Sequence, residues 1–305
     1  SDQEYDKLFD ELTRLEQVTG IQMANSPTQT VGYSPVSELP KTTHRIPLLS
    51  LDKEKRSAAL LDFIGNQLVL LMLKLDGLTI KLTYENGTLV EAATRGDGNE
   101  GEVVTHNARG ITGIPQKIPY SGHLVVVGEA FIRPSDFTKL KDKLLDSSGK
   151  PYKNGRNLAA GSVRLLDARV CKERCVTFMP FNVLEGLDAL ELKSDRLMQL
   201  WGYGFTVCPY LKTTAALNQR YIDMGIERLQ ELAKKHDVPI DGIVVTYNNV
   251  AYSKSCGRTD HHYKDGIAYK FEDDAFETRL QSIEWNPTRS GEIAPVAIFD
   301  PVEID

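Results

Sequence analysis

The feature that most constrains the fold is a short, nearly continuous apolar run, residues 68–73, that ends at a lysine. A run this short and this apolar is typical of a buried β-strand. Lys74 follows directly, and a lysine at the end of a buried strand is costly unless it is paired or deprotonated. Asp76 would lie on the same face of an extended chain. The run therefore predicts either a lysine paired with Asp76 or a nucleophilic lysine whose amine is freed by desolvation.

Composition excludes several classes of protein. The 305 residues are 41% hydrophobic and 26% charged, as in an ordinary globular protein of one large or two medium domains. The formal net charge of -6 does not indicate nucleic-acid binding, so any DNA contact must come from a local patch. We expect no membrane contact and a cytoplasmic location, because no apolar run reaches roughly 18 residues and no signal segment is visible. The four cysteines lack zinc-site spacing and are expected to be free, buried thiols.

Alternation of apolar and polar residues resumes after Lys74, over residues 78–84. Asn86 and Gly87 then favour the type I′ turn of a β-hairpin, and residues 88–94 form the returning strand. We therefore expect Lys74 to lie on an antiparallel hairpin and not on a parallel βαβ unit.

Residues 96–101 fit the pattern G-x-G-x-x-G of a dinucleotide-binding Rossmann turn. Their context argues against that fold, because the preceding strand is the second arm of a hairpin. Gly110 and Gly113 would also interrupt the helix that should follow, and the ribose-binding carboxylate is missing at its usual distance. A turn whose backbone amides meet a phosphate stays open as an alternative. A Rossmann-type reductase is therefore the least favoured function.

The remaining periodicity predicts alternating helices and strands. Helices are expected over residues 1–18, 134–146 with Ser135 as cap, 194–203 and 222–235, and near Lys53. Strands are expected over residues 123–131, 175–184, 239–247, 266–271, 278–285 and 294–299. Glu129 lies inside one of these strands and needs a partner, which is either a basic side chain or a bound ribose or metal. A turn-rich stretch marks a domain boundary near residue 38.

Six stretches resemble, in the same order, the motifs of bacterial NAD-dependent DNA ligases. They are residues 74–77 (KLDG), 93–98 (ATRGDG), 128–131 (GEAF), 156–164 (RNLAAGSVR), 241–245 (DGIVV) and 268–271 (AYKF). Residues 26–28 (SPT) and 49–52 (LSLD) also look like that family. One such motif occurs by chance, whereas six in one order are specific.

The resemblance implies an α+β fold, the nucleotidyltransferase fold of ligases and capping enzymes, in which antiparallel sheets with flanking helices cradle AMP. Residues 1–38 would be a partial N-terminal helical cap that binds nicotinamide mononucleotide (NMN). Residues 39–272 would be the adenylation domain, and residues 273–305 would begin an OB-fold domain. The other domains of the family are absent and both ends are abrupt. We therefore expect a fragment of a longer, monomeric protein.

The resemblance also implies a reaction. Lys74 would attack the α-phosphate of NAD and form lysyl-AMP with release of NMN, the first step of nick sealing in DNA replication and repair. A lysine with an ordinary pKa near 10.4 is protonated at neutral pH. Desolvation, Mg²⁺ or a second cation such as Lys270 would have to favour the free amine.

Roles follow residue by residue from the same resemblance. Catalytic roles fall to Lys74, Asp76 and Lys270. Cofactor binding falls to Asp2, Tyr5, Asp6, Ser50, Leu51, Met72, Lys74, Arg95, Glu129 and Lys270. Arg156 and Arg164 would contact the backbone of nicked double-stranded DNA, which fixes register without reading sequence. NAD and Mg²⁺ are the implied cofactors, and no residue is assigned as a metal ligand.

Several positions depart from the family pattern. Met72 stands where a glutamate usually contacts the adenine, and Thr246 stands where the strand usually carries a lysine. Lys264 and Asp265 replace an Arg-Trp pair, and Val127 replaces an arginine. Loss of the cation at Thr246 would remove charge from the phosphate site, at a cost on the order of a few kcal/mol. We therefore expect weak adenylation. The alternative is a divergent or inactive paralogue that binds nucleotide or DNA without turnover, and rescue by Thr246→Lys would separate the two.

Overall fold

The structure, a computed structural model, describes residues 39–146, 149–165, 167–213, 218–271, 277–287 and 293–302. The predicted helical cap, with Asp2, Tyr5 and Asp6, lies outside these residues. In the described part, no helix combines the length and apolar character needed to span a bilayer.

Strands and helices alternate along the described residues. The strands are β1 (Lys41–Thr43), β2 (Ser50–Glu54), β3 (Val69–Leu75), β4 (Leu78–Glu85), β5 (Thr88–Thr94), β6 (Glu100–Glu102), β7 (His123–Phe131), β8 (Thr177–Glu185), β9 (Tyr210–Lys212), β10 (Ile240–Tyr247), β11 (His262–Lys270), β12 (Leu280–Pro287) and β13 (Ile293–Phe299). The helices are α1 (Ala58–Ile64), α2 (Thr105–Ala108), α3 (Pro134–Leu140), α4 (Gly155–Val163), α5 (Ala168–Glu173), α6 (Lys193–Gly202), α7 (Gln219–Lys235) and α8 (Val250–Ser255).

A five-stranded sheet holds the apolar run as its strand β3, in the order β2-β11-β10-β3-β9. Every pair in it is antiparallel except β2 with β11, which is parallel. Residues 69–73 are buried because β3 has neighbours on both edges and α7 packs against it. A Cβ on Gly225 of α7 would lie 3.1 Å from Leu71, so α7 covers the face of β3 opposite to Lys74.

A four-stranded antiparallel sheet has the order β5-β4-β7-β8. Its β4–β5 hairpin turns at Asn86 and Gly87, whose φ angles of 47° and 79° are both positive. A type I′ turn requires this geometry, so the predicted hairpin is confirmed. The antiparallel sheets and their flanking helices confirm the predicted α+β class.

Lys74 is not on that hairpin, and this part of the prediction is wrong. The strands β3 and β4 follow each other in sequence but belong to different sheets. The chain crosses between them at Gly77, where a Cβ would lie only 2.2 Å from the carbonyl oxygen of Ala130. Only glycine permits this close approach, so Gly77 fixes how near Lys74 comes to the second sheet.

Three predicted helix boundaries are corrected. The residues around Lys53 form β2, because they pair with β11, and the helix begins only at Ala58. Helix α3 ends at Leu140, and its N-cap position is Arg133 because Pro134 is the first helical residue. Ser135 instead hydrogen-bonds to the Asp237 carboxylate. Helix α7 begins at Gln219, because the Asn218 side chain accepts a hydrogen bond from the amide of Tyr221.

Strands β12 and β13 form an antiparallel pair, and in the described part of the chain they pair only with each other. Large apolar side chains of this pair are exposed, among them Trp285 at 66% and Ile293 at 69%. The four cysteines are free thiols. The expected burial holds for Cys171 and Cys208, whereas Cys175 is exposed.

Candidate functional site

Three neighbouring strands bring two lysines to one carboxylate. Lys74 of β3 and Lys270 of β11 both lie opposite Gly242 of β10. The Lys74 Nζ lies 2.6 Å from Oδ1 and 2.7 Å from Oδ2 of Asp241, and the Lys270 Nζ lies 3.3 Å from the same Oδ2. A bulge in β10 between Ile240 and Gly242 lets the Asp241 side chain reach both. The sequence motif contained Asp241, but sequence reasoning gave it no role.

Asp76 does not pair with Lys74, so the predicted pairing is wrong. Its Oδ1 lies 3.1 Å from Nη1 of Arg156, and its amide donates to the carbonyl of Pro239. Arg156 is positioned by α4, whose N-cap Asn154 accepts a hydrogen bond from the amide of Asn157. A residue that the resemblance assigns to DNA therefore lies next to one that it assigns to catalysis.

Glu129 is buried on β7, with 9% of its surface exposed. Its Oε2 accepts a hydrogen bond of 2.9 Å from the Thr79 hydroxyl on β4, so its hydrogen-bond partner is a threonine. Burial raises the pKa of this carboxyl to about 7, although the Thr79 hydrogen bond and the charges of Arg156, Lys74 and Arg95 act in the opposite direction. Arg156, Lys74 and Arg95 therefore all lie close enough to Glu129 to interact with its charge.

The glycine-rich turn after β5 leads into strand β6 and not into a helix, so the Rossmann interpretation is wrong. Asp97 Oδ1 accepts hydrogen bonds from the amides of Asn99 and Glu100. These bonds lower the pKa of Asp97. These two amides are therefore occupied by a side chain of the turn itself.

A cavity of about 190 Å³ lies beside this turn. Two residues predicted to bind the cofactor, Ser50 and Arg95, line it together with Asp260 and His261. Leu51, which was also predicted to bind the cofactor, does not line it. A larger cavity of about 550 Å³, at the end of α7, contains no predicted site residue.

The strand face that carries Lys74 continues as an apolar surface. Met72 lies two residues before Lys74 on the same face and is buried. Val244 of β10 and Tyr210 of β9 are its register partners on either side. No hydrogen bond of the kind a glutamate would make is available from the Met72 side chain.

A cation lies next to Thr246, where the sequence predicted that one was missing. The Nζ of Lys193, from the start of α6, lies 2.7 Å from Thr246 Oγ1 and 2.6 Å from Asp265 Oδ2. Burial lowers the pKa of Lys193, while Asp265 acts to raise it. Sequence reasoning missed this lysine because 53 residues separate it from Thr246 and no motif includes it.

Arg164 lies on the surface at the end of α4, where its Nε lies 2.5 Å from Oε2 of Glu102. Its side chain is 56% exposed and that of Arg156 is 50% exposed. Both arginines are therefore accessible from solvent at opposite ends of one short helix.

Among the described residues, no group of three or more His, Cys, Asp or Glu side chains is placed to hold a metal ion. The carboxylates of Asp241 and Asp76 are engaged by lysine and arginine, and that of Glu129 by threonine. These residues do not form a protein cage for the Mg²⁺ that the resemblance implies.

The sequence matches the family model described as NAD-dependent DNA ligase adenylation domain over residues 36–274. It is 45% identical, over 99% of its length, to a protein named DNA ligase from Ruminiclostridium cellulolyticum and to another from Lachnoclostridium phytofermentans. The match covers 46% of each, so the chain spans about half the length of these curated relatives. A solved archaeal ATP-dependent RNA ligase matches with a TM-score of 0.43 and 13% identity, over 74% of this chain and 48% of that one.

Proposed function

Because this chain belongs to the family of NAD-dependent DNA ligase adenylation domains, we propose that it transfers the AMP moiety of NAD to its own Lys74. The observation that carries the proposal is the convergence of Lys74 and Lys270 on Asp241. This places a primary amine beside a second cation, which is what attack on an anionic phosphate requires.

The reaction exchanges one phosphorus bond for another. The electron pair of Lys74 Nζ attacks the α-phosphorus, a P–N bond forms, and the P–O bond to the phosphate of NMN breaks. NMN leaves with the electron pair of the broken P–O bond, and the proton of the amine passes to solvent. Nζ now contacts both oxygens of Asp241, so Asp241 must release it as the reaction begins. Lys270 shares Asp241 and would then lie beside the phosphate to balance its charge.

The surrounding residues would hold the dinucleotide. Glu129, with a pKa of about 7, can accept a hydrogen bond from a ribose hydroxyl when ionised and donate one when protonated. Ser50 and Arg95 share a cavity that suits one part of NAD. Asp76 would orient the reaction through its contact with Arg156. The predicted cap, residues 1–38, would bind the NMN half.

In the whole protein, lysyl-AMP formation would be the first step of nick sealing in DNA replication and repair. Arg156 and Arg164 would contact the backbone of nicked double-stranded DNA, because both are accessible cations on one helix. Mg²⁺ would arrive with the phosphates of NAD, as is usual for this ion. We expect a cytoplasmic monomer.

The test is the intact mass of the chain after incubation with NAD and Mg²⁺. We expect a gain of one AMP moiety, which Lys74→Ala abolishes and which the exposed control Lys235→Ala retains. A folded chain that binds NAD in calorimetry but gains no mass would contradict the proposal and favour the paralogue that binds without turnover.

A further inference from the structure

A buried ion pair joins α6 to the sheet at a distance from the proposed reaction centre. Lys193 and Asp265 have side chains that are only 11% and 20% exposed. Removing two charges from water costs free energy that the pair itself barely recovers. Two apolar side chains would join α6 to the sheet equally well. Packing alone therefore does not explain why these two residues are charged.

The register of β10 places this pair relative to Lys74. Gly242 lies opposite Lys74, and pairing continues without interruption to Thr246, which Lys193 contacts. Four residues along a strand span about 13 Å, so Lys193 cannot touch the phosphorus that Lys74 attacks. Four is also an even number, so Thr246 faces the same side of the sheet as Lys74. If the phosphate of a nucleotide lies at Lys74, Lys193 therefore lies where the base at its other end would be.

The surface between the two ends fits a base and not a phosphate. Met72 and Val244 form a register pair on this face, two residues from the pair of Lys74 with Gly242. Neither side chain can donate a hydrogen bond, and an apolar surface suits the flat ring of a purine. With its phosphate at Lys74, an extended nucleotide would lay its ring over Val244, which is partly exposed beside the buried Met72, and turn its far edge toward Lys193.

The chemistry of the pair matches one base edge. A lysine ammonium has three N–H groups, and the contacts with Thr246 and Asp265 account for two. The carboxylate of Asp265 keeps further acceptor capacity next to it. A donor beside an acceptor is complementary to adenine, which presents a ring nitrogen acceptor beside its amine. Bases with an oxygen in place of that amine reverse the pattern.

We propose that Lys193 and Asp265 determine the base specificity of this site. Lys193 donates to a ring nitrogen of adenine, and Asp265 accepts from the amine. This rests on the proposed adenylation by NAD. One consequence is that Thr246→Lys does not rescue activity, because it places a second ammonium beside Lys193 with Asp265 as the one carboxylate between them.

The test compares NAD with nicotinamide hypoxanthine dinucleotide, in which an oxygen replaces the amine. Rates of lysyl-nucleotide formation are followed by intact mass. We expect the unmodified chain to prefer NAD by about tenfold or more, because a matched base edge is typically worth that much. Asp265→Asn should lower this ratio toward one, since the Asn amide can donate to the oxygen of hypoxanthine as well as accept from the amine of adenine. Asp195→Asn on the same helix is the control, because Asp195 is 44% exposed and pairs with Lys212, and it should keep the preference.

A purely structural ion pair gives a different result, with both rates reduced and the ratio unchanged in Asp265→Asn, and this would overturn the proposal. If Asp265→Asn fails to fold, the apolar double variant Lys193→Met/Asp265→Leu replaces the pair, and its ratio should also fall near one. Calorimetric binding of AMP and inosine monophosphate repeats the comparison without turnover. A chain that gains no mass but still prefers AMP would refute adenylation and retain the base assignment, whereas equal binding of the two would refute the assignment.

Discussion

Asp241 organises the charges of the candidate site. It is the shared partner of Lys74 and Lys270, at 2.6 Å and 3.3 Å. Without it, two ammonium groups on the strands that flank β10 would face each other with no carboxylate between them. Asp241 therefore keeps the two cations close together, and under the proposed mechanism it would hold Lys74 until the reaction begins.

This role predicts a coupling that a double-mutant cycle can measure. We expect Asp241→Asn to lower the free energy of unfolding by about 1–3 kcal/mol, because it leaves partly buried lysines unpaired. Lys74→Met with Asp241→Asn should cost less than the sum of the single changes. Urea unfolding measures all three variants. Glu100→Gln breaks an exposed pair with Lys41 and should change stability by about 0.5 kcal/mol or less, and strictly additive effects of the first pair would contradict the coupling.

We expect replacement of Glu129 to increase the stability of the fold and to reduce the proposed activity. Burial raises its pKa from 4.5 to about 7. Between these pH values the unfolded chain loses the proton and the folded chain keeps it, so stability falls as the pH rises from 4.5 to 7. Glu129→Gln removes this loss, and we expect it to raise the free energy of unfolding at pH 8 by up to about 3 kcal/mol. The gain should shrink toward pH 5, while lysyl-AMP formation falls, as the proposed contact of Glu129 with ribose requires.

Denaturant unfolding at pH 5 and pH 8 measures the first effect, and intact mass measures the second. A Glu129→Gln chain that is less stable than the unmodified chain at pH 8 would show that the ionised carboxylate stabilises the fold after all.

The crossing between β3 and β4 sets the distance between the two sheets. At Gly77, an added methyl group would overlap the backbone of Ala130 at 2.2 Å. We expect Gly77→Ala to cost about 3 kcal/mol or more, because two backbone segments must separate. Lysyl-AMP formation should fall with it, since Lys74 is three residues away on β3.

Gly202→Ala is the matched control for that change. Gly202 is the last residue of α6, and a Cβ there meets nothing within 4 Å. Alanine is the better helix former by up to about 1 kcal/mol, so this variant should be neutral or slightly more stable. Thermal unfolding compares the melting temperatures of the two variants. Equal melting temperatures would show that the sheets tolerate a wider crossing.

Elements that local sequence determines were predictable. The apolar run became β3, and Asn86 and Gly87 form the turn that their dipeptide favours. The partition of β3 and β4 into different sheets was not predictable, because alternation determines which side chains face inward and says nothing about the strand partner. The residues near Lys53 form a strand for the same reason, since their partner β11 lies more than 200 residues onward.

The candidate site likewise contains residues that the sequence predicted and contacts that it did not. Motifs identified Lys74 and Lys270, and the structure brings them together. The partner of Lys74 is 167 residues away, and the partner of Lys193 is 72 residues away. A single sequence carries no signal for such pairs, because each depends on strand register and on how a helix packs. The local alternative, in which Asp76 is the partner of Lys74, was therefore wrong.

The described residues divide into sheets that share the candidate site and a strand pair that does not. Lys74, Asp241 and Lys270 lie in the five-stranded sheet, and Glu129 lies in the four-stranded sheet. Strands β12 and β13 contribute no strand to either and expose apolar side chains of their own. The predicted domain boundary near residue 272 falls between these two parts, and this boundary stays a prediction.

Truncation after Phe271 tests that boundary. We expect the shortened chain to melt within about 2 °C of the full chain and to form lysyl-AMP at the same rate, because neither sheet loses a strand. Truncation after Cys256 is the contrasting variant. It removes β11 and with it Lys270 and the edge that holds β2, so we expect no cooperative unfolding transition. Thermal melts and intact mass with NAD measure both chains, and a drop of more than about 5 °C in the first would show that residues 272–305 stabilise the adenylation domain.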